Sequence, residues 1–353
     1  MEQYINELIE VLKEYKQLGI SEQIDYQKFY LYSIITHSTA IEGSTVTEIE
    51  NQLLFDEGIT AKGKPMVEQL MNLDLKRAYE QAIKWATAHK PFSIDMLKAL
   101  SALVMRNTGS HYSTLSGEFD SSKGDLRLVG VTAGAGGRSY MNYKKVPIKL
   151  QEFCEHINKR REALLERPND IDAYLLSFDA HNLLVTIHPW VDGNGRMSRL
   201  ITNYLQFEFG LVPSKVVKDD KAAYIEALNK SREDERMEPF QEFMLQEHAK
   251  NLRNEITEFK KSMNEEMIIG QDEVVQKGGP ESGKVVQKGG PETRSAILRL
   301  ISEDQNITSR EMSNKLNINR SAILKHLKKM QEENIIRREG SQKSGRWIII
   351  SEP

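Results

Sequence analysis

The segment Asp172 to Trp190, DAYLLSFDAHNLLVTIHPW, constrains the fold of this chain more than any other. Its apolar positions, among them Leu176, Phe178, Leu183, Leu184 and Ile187, are dense enough for a helix buried on more than one side. A helix of that kind needs neighbours on several flanks, so it predicts the centre of a helical bundle. Most of residues 1 to 262 reads as helix around it. Proline at 189 disfavours helical geometry in the residue before it, which ends the helix at His188. With 353 residues the chain is long enough for two or three domains, each with its own core.

The run HPWVDGNGRMSR, His188 to Arg199, follows at once. It places a titratable base, a carboxylate, a glycine-flanked amide loop and two arginines within twelve residues. An imidazole can take a proton near neutral pH. One carboxylate together with substrate phosphates is a usual way of holding Mg²⁺, which makes Asp192 the candidate metal ligand. The Gly193-Asn194-Gly195 turn leaves backbone N–H groups uncovered where a helix can begin, and a helix N-terminus binds anions. Arg196 and Arg199 lie three apart on that helix, so both guanidinium forks are expected to face one anion. A Gly-Asn-Gly turn can also merely reverse the chain, and His-Pro can merely stop a helix. The concurrence of all these features favours phosphate chemistry.

This segment resembles the signature of the Fic (filamentation induced by cAMP) family, HPFx(D/E)GNGRxxR, at every polar position. Trp190 stands where phenylalanine is usual, an aromatic exchange expected to pack in the core. The resemblance implies a mainly α protein, a helical bundle with a β-hairpin flap, that transfers AMP from ATP to a protein hydroxyl with Mg²⁺ as cofactor. It assigns His188 as the base and Asp192 as the metal ligand. Gly193, Asn194 and Gly195 become the anion hole, Arg196 contacts the phosphates and Arg199 reaches the γ-phosphate. Retention of Gly195 argues against phosphate transfer, which a lysine-bearing Fic relative performs.

Upstream, HSTAIEGSTVT places Ser38, Glu42 and Gly43 in the (S/T)xxxE(G/N) pattern of the inhibitory helix in Fic proteins. On that resemblance Glu42 pairs with Arg199 and blocks placement of the γ-phosphate. Read alone, Glu42 is an exposed helix residue and Gly43 a helix stop. Between the two motifs, residues 124 to 147 carry Leu126, Leu128 and Val131 in alternation, then a glycine-rich turn through Gly134, Gly136 and Gly137. That reads as a β-hairpin. Fic proteins similarly set a flap beside the site, whose edge pairs with the target's backbone. The GAGG run lacks the context of a P-loop.

Other features exclude alternatives. The single cysteine, Cys154, rules out an internal disulfide framework, and the charged amphipathic N-terminus does not read as a signal peptide. No apolar run approaches the length of a membrane span, so no membrane partner and a cytoplasmic location are expected. His181 lies two turns before His188, about 10 Å away by helical rise, too far to share one zinc, and it reads as structural. On the later helix DKAAYIEALNKS, Tyr224 and Leu228 occupy a place where Fic relatives line the adenine pocket, although such spacing also suits a core.

The organisation expected is an N-terminal helical region with the inhibitory motif (1–90), a catalytic core (91–265), a linker (266–292) and a last domain (293–353). VVQKGGPE occurs twice in the linker, at Val274 and at Val285, and its Gly-Gly-Pro opposes helix. TRSAILRLIS, SREMSNKL and RSAILKHLKKMQEEN then read as three helices, and IIRREG with GRWIII as two strands. This resembles a winged helix-turn-helix domain. Residues 293–353 hold 12 Lys and Arg against 7 Asp and Glu, within a chain of net charge −3. A phosphate backbone would favour that local excess. Arg320, Ser321, Lys325 and Lys328 are the DNA-contacting candidates, with protein docking the alternative use.

Two readings of the whole follow. One is an autoinhibited adenylyltransferase acting on a Ser, Thr or Tyr hydroxyl of a target docked on the flap, or on itself, in a chain that can self-associate as a homodimer. The other is a DNA-binding regulator whose Fic core senses a nucleotide, and removal of AMP is a further possibility. Intact His188, Asp192, Asn194 and Arg196 favour the enzyme.

Overall fold

The computed structural model describes the chain apart from residues 24, 133–138, 273–290, 306, 317–322, 324–325, 328, 332–334, 340–345 and 351–353. It divides into two compact units, Met1–Glu273 and Val274–Pro353. Ten helices are described in the first: α1 (Glu2–Gln17), α2 (Tyr26–Ile41), α3 (Glu48–Glu57), α4 (Met66–Thr87), α5 (Ile94–Val104), α6 (Val146–Glu166), α7 (Asp170–Ile187), α8 (Asn194–Glu208), α9 (Lys221–Asp234) and α10 (Glu238–Asp272).

Helix α7 is central, as its composition predicts. Leu176, Ala180, Leu184 and Ile187 join one apolar cluster with α4, α5, α6 and α8. Ala173, Tyr174 and Phe178 join a second, with α1, α9 and α10. A helix with two buried flanks is thus fixed in both rotation and tilt. Full burial of a Leu or Phe contributes about 1.5–3 kcal/mol, so these positions dominate its anchoring. Its start is set by Asn169, whose side chain accepts from the N–H groups of Ile171 and Asp172 at 3.0 and 3.1 Å. Residues on both sides of position 90 contribute to the two clusters, so the segment 1–90 shares its core with 91–265.

Helix α2 is tied down by a buried polar knot. Thr39 donates to Asn72 Oδ1 at 2.7 Å, and Asn51 donates to the same oxygen at 2.9 Å and to Thr36 at 2.8 Å. These buried hydrogen bonds hold α2 to α3 and α4.

Among its described residues, the flap segment pairs at few positions. Thr132 bridges Ser139, and Tyr140 N–H donates to Val131 O at 3.0 Å, while the glycine-rich turn itself falls outside the described residues. Strands form instead a little earlier, β1 (His111–Thr114) against β2 (Gly117–Asp120), which sequence reading did not single out.

The second unit has α11 (Pro291–Glu303), α12 (Ser309–Leu316) and an antiparallel pair, β3 (Ile336–Glu339) with β4 (Arg346–Ile349). Ile297, Ile301, Met312, Ile323, Leu327 and Trp347 build its own core. The two strands form the expected wing. Arg320, Ser321, Lys325 and Lys328 lie outside the described residues, as does the VVQKGGPE repeat except for Pro291 and Glu292, which begin α11. Helix α10 extends to Asp272, into the segment read as linker.

Candidate active site

The turn between α7 and α8 is built by His188 and Gly193. His188 caps α7 in the left-handed region, φ 52°, which an ordinary L-residue adopts only at a cost. Gly193 has φ 78°, and a Cβ there would meet Met105 Sδ at 2.7 Å. Between them, Trp190 is fully buried and its indole donates to Gly124 O at 3.1 Å. Asn194 clamps the loop, accepting from Trp190 N–H at 3.1 Å and donating to its carbonyl at 2.9 Å. This asparagine therefore shapes the loop from inside. The first-turn N–H groups of α8 have no intrahelical acceptor, and no side chain caps them.

His188 Nδ1 lies 3.3 Å from Val185 O, which leaves Nε2 as the accepting nitrogen of the neutral ring. Burial pushes the imidazole down to about 4; the charges of Arg127 and Arg232 push the same way, against Val185 and Asp192. Tyr140 stacks on the ring at 3.7 Å between centroids, and Arg232 lies over Tyr140 at 5.3 Å.

Arg127 was missed by sequence reasoning. The Leu126/Leu128 alternation would turn it outward, yet it is 1% exposed. Its guanidinium donates to the carbonyls of His188, Val129 and Met141, each at 2.7 Å, and its N–H donates to Pro189 O at 3.0 Å. One side chain thus joins the flap's two limbs to the backbone of the base. An arginine inside an apolar alternation was the available signal. Replacing it by methionine would leave buried carbonyls without donors, at about 1–3 kcal/mol each. We expect Arg127→Met to lower the melting temperature by several degrees; an unchanged calorimetric transition would remove Arg127 from this role.

The Arg196 and Arg199 guanidinium groups take different protein partners. Arg196 turns to the end of α5, donating to Val104 O at 3.3 Å and Met105 Sδ at 3.1 Å, with its Nε unpartnered. A buried guanidinium with a carbonyl, a thioether and one orphan N–H is poorly satisfied. Arg199 is drawn the other way, to α2. Its Nε donates to Ser38 Oγ at 2.8 Å, and its Nη2 to Ser38 O at 2.9 Å and to Glu42 Oε1 at 2.5 Å.

Glu42 ends α2, and Gly43 follows with φ 105°. The Glu42 carboxylate lies against the first turn of α8: a Cβ on Gly195 would come within 2.5 Å of its Oε1. Burial disfavours its charge, but Arg199, by charge and hydrogen bond, together with the Arg196 and Lys221 charges holds it below the usual carboxylate range. It is thus an anion seated at a helix N-terminus, beside a cavity of about 360 Å³. That cavity is lined by His188, Gly195, Arg199, Tyr224, Leu228, Asn229 and Arg232, among others. Asp192 stands outside this lining, its side chain 66% exposed, accepting from Gly193 N–H at 2.6 Å and 3.9 Å from Arg196. No group of three His, Cys, Asp or Glu that could hold a metal occurs among the described residues. A cation at Asp192 would therefore draw its other ligands from phosphate and water, a set that suits Mg²⁺.

A helical bundle with this α7-loop-α8 site is a Fic-type fold. Residues 91–206 match the family model "Fic/DOC family". Residues 291–337 match "Winged helix-turn-helix DNA-binding". The protein adenylyltransferase Fic of Drosophila melanogaster is 29% identical over 213 residues, 60% of this chain and 39% of that protein. The relative from Drosophila virilis matches to the same extent. The chain thus spans about two fifths of the length of the curated relatives it matches. Among solved structures, a Fic domain containing signaling protein from Bacteroides thetaiotaomicron superposes with TM-score 0.59 at 18% identity, covering 72% of this chain and 97% of that one. A Fic family protein from Desulfovibrio desulfuricans superposes with TM-score 0.53 at 18% identity, covering 98% and 97%. These likenesses establish the fold.

Proposed function

We propose that the chain is an autoinhibited protein adenylyltransferase. The observation that carries this reading is the Ser38/Glu42 grip on Arg199 beside His188 and the open N-terminus of α8. In the reaction, His188 Nε2 takes the proton of a target Ser, Thr or Tyr hydroxyl while the oxygen attacks the α-phosphorus of ATP. The bond from the α-phosphorus to the β-phosphate bridging oxygen breaks, and pyrophosphate leaves. The protein contributes position and charge rather than bonds, as in other phosphoryl chemistry. The first turn of α8 with Gly193, Asn194 and Gly195 receives the phosphates, Arg196 turns in to meet them, and Arg199 takes the γ-phosphate once Glu42 releases it. Mg²⁺ at Asp192 would screen phosphate charge.

In this reading residues 91–265 supply the catalysis and 1–90 the brake. The target lies along the flap, and the protein acts in the cytoplasm. No described helix is long and apolar enough to cross a membrane. The test uses ATP labelled in the α-phosphate: the Glu42→Gly variant should label itself or a lysate protein, the parent far less. Equal absence of label from both would end the transferase reading.

The match of residues 291–337 favours a second role, DNA binding, for the C-terminal unit. Phosphate contacts by lysine and arginine release counterions, so such binding weakens steeply with salt. A mobility shift on mixed-sequence duplex DNA should be present at low salt and lost as salt rises. Absence of any shift at low salt would leave protein docking as the use of this unit.

A further inference from the structure

Arg199 is gripped from two sides, and only one of them is the inhibitory helix. Ser38 and Glu42 hold it from α2. From α9, the Tyr224 hydroxyl lies 3.5 Å from Nη1, with the ring 6.0 Å from Cζ. That hydroxyl is itself fixed. It stands 2.8 Å from His181 Nε2, while His181 Nδ1 is 2.9 Å from Thr202 Oγ1, and Thr202 donates to Ser198 O at 2.9 Å.

The hydrogens of this chain can be assigned in order. Thr202 spends its one proton on Ser198 O, so its oxygen accepts from His181 Nδ1–H. Nε2 of the neutral ring is then bare and accepts from the Tyr224 hydroxyl. The phenolic oxygen is left with its lone pairs turned to Arg199. All three side chains of the relay, His181, Thr202 and Tyr224, are buried, so water does not compete for these bonds. Burial, followed by the nearby Arg199 charge, keeps His181 well below its ordinary range and therefore neutral.

We propose that Tyr224, oriented by His181, is the positioning residue that receives Arg199 when Glu42 lets go and keeps its guanidinium aimed at the terminal phosphate. The proposal rests on the nucleotide-transfer reading above. At 3.5 Å the contact is longer than an ordinary N–H···O bond, because Glu42 draws the opposite edge of the guanidinium to 2.5 Å. Loss of the Glu42 contact leaves Ser38 as the pivot on which Nη1 closes on the phenol. A neutral acceptor orients the cation without cancelling its charge, whereas Glu42 does both. His181 thus has a task that its spacing from His188 did not suggest.

The test measures binding without turnover, in the full chain carrying Glu42→Gly and His188→Ala. Calorimetry with Mg²⁺ compares ATP with ADP, which lacks the phosphate Arg199 reaches. Loss of one hydrogen bond to a charged group costs on the order of tenfold. Adding Tyr224→Phe should therefore weaken ATP about tenfold and ADP less than twofold. Thr202→Val, which unhooks the far end of the relay away from the cavity, should shift ATP in the same direction by less. Equal weakening of both nucleotides, or no weakening by Tyr224→Phe, overturns the relay while leaving the nucleotide site intact. Failure of the Glu42→Gly, His188→Ala parent to bind either nucleotide overturns the site reading, and the relay with it.

Discussion

The Glu42→Gly variant is expected to transfer AMP about tenfold to a hundredfold faster than the parent. The figure follows from the contact it removes. A hydrogen bond between charged groups contributes about 1.5–3 kcal/mol, and each 1.36 kcal/mol is a factor of ten in rate. Glu42 also presses on the first turn of α8, within reach of Gly195, so its removal frees both the guanidinium and the anion end of the helix. Ser38 still holds Arg199 Nε, which keeps the side chain from swinging into solvent. Glu42→Gln tests whether charge or bulk is the brake: it keeps the volume at the anion site and loses the charge, and should fall between parent and Glu42→Gly. The same substitution predicts a binding change. ATP with Mg²⁺ should raise the melting temperature of Glu42→Gly more than that of the parent, since a ligand stabilises in proportion to its affinity for the folded state. Matching rates and matching ATP-induced shifts in parent and variant would mean that Glu42 restrains nothing.

Much of this architecture is legible in the residues. The apolar density of α7 implied burial on several flanks, and two separate clusters meet on it. The (S/T)xxxE(G/N) resemblance brought Ser38 and Glu42 to Arg199 across more than 150 residues of chain, a pairing that no local pattern could supply. What the sequence misplaced has a common physical cause. Period-two alternation assumes one dry and one wet face, and it turns Arg127 outward; the flap instead folds over the His188 loop, so its polar side becomes interior. Helical spacing set Arg196 and Arg199 on one face. Side-chain reach then separates them, because Val104 O lies to one side and the α2 carboxylate to the other. Tyr140 over His188 was invisible for a similar reason. Stacking between a flap and a helix end depends on where two loops cross, and no spacing within either loop encodes that.

His188→Ala, made in the Glu42→Gly background, should abolish most of the transfer that Glu42→Gly releases. A protein hydroxyl is a poor nucleophile at neutral pH, and a positioned base contributes about 10²–10⁴-fold. On the proposed assignment, in which His188 would take the target's proton and the α8 turn and Arg199 would hold the phosphates, the loss should lie in kcat with the affinity for ATP largely kept. The pH dependence separates this base from an ordinary exposed histidine. Burial, with the Arg127 and Arg232 charges acting in the same direction, sets the ring near 4 in the free protein. The active neutral form therefore persists down to that value. In the Glu42→Gly variant, kcat/KM should stay level through pH 7 and 6 and fall only as pH approaches 4. The linkage has the same sign: a histidine whose folded pKa lies below its unfolded value near 6.5 lets the unfolded chain bind more protons between 6.5 and 4. Stability from this group is thus full above pH 6.5 and declines as pH falls to 4, and His188→Ala should flatten that part of the stability curve. A transfer rate that halves near pH 6.5, or one that survives His188→Ala within tenfold, would assign the proton to some other group.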